Sequence, residues 1–126
     1  MAILTTTVST SSVSKIFRDL DSDNTVETNL NSGACTIQQI YIDNSANAST
    51  DFYLHMWNQT SAPTFGATVP SAVLFAPAGT SKTYIFPDGF AFGTGLCIGG
   101  STNFAAVTFT EANPSASVPV TIYVAA

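Results

Sequence analysis

Glycine, proline, asparagine, aspartate and serine recur at short intervals along the chain, and the apolar residues between them come in runs no longer than a strand. Nowhere does an i, i+3, i+4, i+7 apolar pattern persist long enough for a helix. A chain punctuated in this way closes its backbone hydrogen bonds between segments, so it reads as all-β. The runs themselves are rich in Thr, Val, Ile, Phe and Tyr, which suit a half-buried pleated surface. Strands are expected near Ile3–Val8, Val26–Leu30, Cys35–Asp43, Asp51–Trp57, Ala72–Ala76, Lys82–Phe86, Phe90–Ile98, Phe104–Thr110 and Val118–Val124. Between them, Asp43-Asn44-Ser45-Ala46-Asn47, Pro77-Ala78-Gly79 and Pro87-Asp88-Gly89 carry turn chemistry, self-capping side chains or a fixed φ followed by a free one.

A chain of 126 residues with 45% hydrophobic content closes one core without disulfide or metal staples. The expected organisation is an extended Ser/Thr-rich N-terminal arm over residues 1–14 and a single sandwich domain over residues 15–126. Alternation within Asp51–Trp57 puts Phe52, Leu54 and Met56 on one face and Tyr53, His55 and Trp57 on the other. Both sets are bulky, so both faces of this strand should be covered. Charged residues make up only 9%, against roughly 25% in ordinary soluble domains, which leaves few side chains for a solvated exterior. A partner subunit is therefore the favoured cover for the Tyr53, His55 and Trp57 face.

Charge excludes one class of function. Lys15, Arg18 and Lys82 are the whole basic inventory of a chain with formal net charge -5, too little to neutralise a run of phosphates. No apolar run approaches the roughly 20 residues of a helical membrane span. Residues 1–14 lack both a basic n-region and an apolar h-region, so no secretory signal is expected there. Cys35 and Cys97 stand far apart with no CxxC, and the reading for a cytosolic chain is two buried thiols packed as small apolar residues.

The motifs that imitate chemistry each fail on a required position. Asp19-Leu20-Asp21-Ser22-Asp23-Asn24-Thr25-Val26-Glu27 has the 1, 3, 5 and 9 acids of a calcium loop, but Asn24 replaces its glycine and Leu30 its bidentate glutamate. The stretch Gly89 to Gly100 has no third fingerprint glycine and no Walker lysine, and close approach of backbone within a sheet explains it better. His55, the one histidine, lies in an aromatic row, where a packed structural role is expected over a nucleophile's base. Asp43, Asp51, Asp88 and Glu111 are carboxylates by type alone, two of them in turn signatures. The sequons at Asn47 and Asn58 carry no weight without a secretory signal. No catalytic residue, cofactor site or metal site is assigned, and no enzyme activity is expected.

From Tyr41 to Leu96 the punctuation is distinctive: Tyr41-Ile42-Asp43-Asn44, Phe52-Tyr53-Leu54-His55-Met56-Trp57-Asn58, Pro63-Thr64-x-Gly66-x-x-x-Pro70, Pro77-Ala78-Gly79-x-Ser81, then Tyr84-x-Phe86-Pro87-x-Gly89-x-x-Phe92-x-x-Gly95-Leu96. This cadence resembles the small all-β capsid decoration, or cement, proteins of tailed bacteriophages. The resemblance implies a jelly-roll-like antiparallel sandwich of about eight strands, assembled as a homotrimer on the major capsid protein of a phage shell. It implies a virion location after assembly in host cytoplasm, with no nucleic-acid or membrane partner. Under that expectation Tyr53, His55 and Trp57 form the subunit interface, and the arm from Ala2 to Ser14 reaches a neighbour. The alternative is a tail or fibre domain that binds host-surface glycan through Trp57 or Tyr53.

Overall fold

The computed structural model describes residues 3–7, 13–103 and 113–125. Eight strands make up its regular structure: β1 (Ile3–Thr7), β2 (Lys15–Asp19), β3 (Cys35–Asp43), β4 (Phe52–Asn58), β5 (Ala72–Ala76), β6 (Ser81–Phe92), β7 (Leu96–Ser101) and β8 (Val120–Ala125). They form two antiparallel sheets, a larger one in the order β1-β2-β8-β3-β6 and a smaller one in the order β5-β4-β7. The free edge of β7 is followed by the segment 23–30. Glu27 and Ile98 exchange both backbone hydrogen bonds, Gly100 N–H donates to the Asp23 carbonyl, and Leu30 N–H donates to the Leu96 carbonyl.

Period-two alternation places the core between the sheets. In the larger sheet one inward row runs across Phe17, Ile122 and Ile40 to Tyr84, and the next runs from Ile3 through Asp19, Val120 and Ile42 to Lys82. The smaller sheet contributes Phe52, Leu54, Met56, Leu96 and Ile98, all essentially sealed from solvent. One aspartate, Asp19, sits in this second row between Ile3 and Val120, and the row ends in Lys82 at the sheet edge.

β3 and β5 span the expected residues, and β4 and β8 differ from expectation at their ends. Four departures have physical causes. Val26–Leu30 contributes a single bridge instead of a strand, because Asn29 takes a left-handed φ of 51° and turns the chain back. Lys15–Asp19 was not expected as a strand; three charges in five residues hide a two-sided pattern in which Phe17 and Asp19 face in. The run Phe90–Ile98 divides at Gly93–Gly95, where Asn58 Oδ1 accepts the Thr94 and Gly95 amides. The Pro87-Asp88-Gly89 signal makes no hairpin: β6 continues through it, with Phe90 opposite Ile37 and Ile85 opposite Gln39. The extra residues form a bulge in an edge strand, where proline breaks no ladder, with Phe86 packed against the core and Gly89 supplying a φ of 81°. Of the expected arm, Ile3–Thr7 is β1, paired with β2 of its own chain. Phe104–Thr110 lies outside the described residues.

Candidate functional site: the outer faces of the two sheets

The three residues expected at a subunit interface all lie on β4 with their side chains away from the core. They do not share one environment. His55 and Trp57 are 0% and 1% exposed, and the cover is the chain's own loop between β4 and β5. The Thr64 carbonyl accepts the Ala67 and Thr68 amides, and Thr68 Oγ1 accepts the Thr64 amide. Gly66, with φ of 86°, lets this knot close. The knot holds the Phe65 ring 4.8 Å from His55 and 5.2 Å, edge-on, from Trp57, while the Trp57 indole N–H donates to the Thr68 carbonyl at 2.9 Å. Room for the ring comes from Gly99 on β7, opposite His55: a Cβ there would stand 2.4 Å from Phe65.

A side chain sealed inside its own chain offers no surface to a neighbour. The expectation of a partner over His55 and Trp57 is therefore corrected to an internal aromatic lid. Phe65 had a readable signal, an aromatic residue inside a Pro/Gly turn with a Gly-Gly pair in a distant apolar strand. His55 Nε2 lies 3.1 Å from the Asn103 carbonyl, which can only accept, so Nε2 carries the proton in that contact. Burial pulls the His55 pKa below 6.5, partly opposed by this hydrogen bond, and the ring is neutral at pH 7.

Tyr53 lies beyond the lid. It is half-buried and stacks at 5.2 Å on Phe75 of β5, itself 37% exposed. Phe75 turns its backbone outward from β5, and the Tyr84 hydroxyl of β6 both donates to the Phe75 carbonyl (2.5 Å) and accepts the Phe75 amide (3.2 Å). One phenol thus ties the edges of the two sheets together.

The broad surface of the molecule is the outer face of the larger sheet. Its cross-strand register sets two rows side by side: Thr6, Ile16, Tyr123, Gln39 and Ile85, and next to them Leu4, Arg18, Thr121, Tyr41 and Thr83. Ile85 is 67% exposed, and Leu4 and Tyr41 are exposed as well. Solvated sheet faces ordinarily alternate to charged and polar residues, yet these rows hold one charge, Arg18. Asp43, at the end of β3, is held by Ser45 and Ser81, whose hydrogen bonds keep its carboxyl below the usual range.

Several chemistry-bearing groups elsewhere among the described residues are occupied or shielded. Cys35 and Cys97 are buried free thiols, and burial pushes Cys35 up to about 11. Cys35 lines a shallow depression of about 370 Å³ with Ala34, Thr36, Ala91, Gly93 and Ala125, a set with no other titratable side chain. Asn47 commits both amide atoms to Ala116 and a further donor to Asn44, which closes that sequon to modification. Among the described residues no group of three or more His, Cys, Asp or Glu side chains is placed to hold a metal ion. Neither protein families, nor curated proteins, nor solved structures yield a match to the chain.

Proposed function

We propose that the chain is a non-enzymatic virion structural protein, a capsid decoration or cement protein that binds an assembled phage shell and stabilises it. The observation that carries this reading is the outer face of the larger sheet. Two adjacent rows of Thr, Tyr, Ile, Leu and Gln with one charge have the composition of an interface core: aromatic-enriched and charge-depleted. Topology supports the jelly-roll element of the reading. Counting segment 23–30 beside β7, the sheets become β2-β8-β3-β6 and 23–30-β7-β4-β5, and the chain passes between them in jelly-roll order, with β1 added at one edge.

The mechanism is linkage. A protein that binds only the closed shell lowers that state's free energy by RT ln(1 + [L]/Kd), and a homotrimer engaging several capsomers adds avidity. Because His55 and Trp57 are internal, contact falls instead to the face that carries Tyr41, Ile85 and Tyr123. The test is light scattering of the purified protein, followed by pelleting with isolated phage shells that lack it. A trimer that co-pellets and raises the shell's melting temperature supports the reading. Ile85→Glu and Tyr41→Glu should abolish pelleting while leaving the protomer's urea midpoint unchanged. A monomer that ignores shells overturns it.

The glycan-binding reading, a tail or fibre domain, rests on Tyr53 stacked against exposed Phe75. Trp57 is withdrawn from it, since a sugar cannot reach an indole under Phe65. Saturation of binding to a host polysaccharide, lost in Tyr53→Ala, would favour it.

A further inference from the structure

Asp19 is 2% exposed and faces the core, directly between Ile3 on β1 and Val120 on β8. The hydrogen bond to its carboxylate comes from the Asp21 amide at 3.2 Å. The groups facing it are unfavourable to a negative charge. β1 presents Ile3 and β8 presents Val120, while the segment that follows β2 brings Asp21, Asp23 and Glu27, all acidic. Arg18 is on the opposite face of β2. Lys15, further along β2, donates to Asn31, and Lys82 ends the same row three strands away.

β1 depends on this position. It is an edge strand bonded to β2 alone; Leu4, Thr5 and Thr6 are exposed, and among the described β1 side chains Ile3, across from Asp19, is the one that packs on the core. We propose that the Asp19 carboxyl is a proton-dependent latch for β1: protonated, it lies within the row and Ile3 closes over it; ionised, it draws water past Ile3, and β1 leaves the edge of β2. The β8 side of the row is filled by Val120 and Ile42, and the flank of Asp19 that lies at the sheet edge is β1. Burial, reinforced by the neighbouring acids, raises the carboxyl from 3.8 to about 7, which puts the transition near neutrality. The latch rests on Asp19 and Ile3 and not on the proposed function, and its release would carry Leu4 and Thr6 out of the outer-face rows.

Amide hydrogen exchange, corrected for the intrinsic pH dependence of the rates, tests it on the whole chain. With a pKa of 3.8 in the released strand and about 7 when latched, protection of the β1 amides falls between pH 5 and pH 8 by about 90-fold at most, and the expected loss is about tenfold or more. Amides of Ile40 and Ile122 in the centre of the sheet stay protected, and Asp19→Asn abolishes the β1 response. Glu27→Gln, which leaves Asp19 in place, retains it. The latch is overturned by β1 protection that is flat with pH in the wild type, by β1 and the core losing protection together, or by Asp19→Asn keeping the wild-type response.

Discussion

Adjacent glycines on β7 meet opposite faces of the smaller sheet, and alanine at each tests a different half of the packing. At Gly99 a new Cβ would stand 2.4 Å and 2.8 Å from Phe65 ring carbons, against the 3.5–4.0 Å of ordinary carbon contact. Phe65 is on a loop, so the ring lifts, and its contacts with His55 and Trp57 loosen. Each aromatic pair is worth about 0.5–1.5 kcal/mol, so two pairs contribute about 1–3 kcal/mol, offset by about 0.5–1 kcal/mol from removing a strand glycine, for a net cost of about 0–2.5 kcal/mol. At Gly100 the Cβ would stand 2.5 Å from Phe52, 0% exposed between the sheets, and 2.8 Å from Ser22 Oγ. Nothing there can retreat, and the cost sits at the upper end of overpacking, about 3 kcal/mol. Trp57 is the sole tryptophan, so intrinsic fluorescence in urea reads both effects. With m of about 1–3 kcal/mol/M, Gly99→Ala should lower the midpoint modestly and shift native emission to the red as water reaches the indole. Gly100→Ala should lower the midpoint further with the native spectrum unchanged. Unchanged emission and midpoint in Gly99→Ala would refute the lid, and a smaller loss in Gly100→Ala than in Gly99→Ala would refute the assignment of faces.

Three further outcomes follow from the described contacts. Tyr84→Phe removes the hydroxyl that satisfies both backbone groups of Phe75 and should cost about 1 kcal/mol in urea unfolding, with faster light-scattering growth because β5 regains an open edge. His55 should titrate by NMR with a midpoint below 6.5. Its folded pKa is depressed, so its contribution to stability is complete above 6.5 and declines, by at most about 1.4 kcal/mol per pH unit, as pH falls toward the folded value; a ring midpoint above 6.5 would contradict its burial. Both thiols, buried with raised pKa, should resist a disulfide reagent at pH 8 in the native state and react together on unfolding.

The strands legible in the sequence are those whose alternation is uninterrupted. Cys35–Asp43 and Ala72–Ala76 follow from β-branched and aromatic alternation between strong turn residues, and both faces of Phe52–Trp57 read as covered because both are bulky. What was not legible depends on distant partners. Lys15–Asp19 is a strand because β8 and β1 flank it, and its local pattern, with Asp19 facing in, argues for a surface turn. Pro87-Asp88-Gly89 has hairpin chemistry, but whether such a signal reverses the chain or forms a bulge is decided by the partner strand, and β3 has the length to continue. The cover over His55 and Trp57 depends on a distant partner in the same way: an aromatic residue in a Pro/Gly turn and a Gly-Gly pair are both visible in the sequence, but their pairing across the fold is not, and the Gly99 gap shows where the Phe65 ring goes.

The placement of β8 has a consequence for how the protein is made. Val120–Ala125 is the third of five strands in the larger sheet, hydrogen-bonded to β2 on one side and to β3 on the other. Until residue 125 clears the ribosome, β2 and β3 have no strand between them, and the β1–β2 hairpin has nothing to dock on. Local hairpins alone are marginal, and pairings this distant in sequence form slowly. A nascent chain should therefore stay unfolded and exposed to chaperones until Val120–Ala125 has emerged, then fold in one cooperative event.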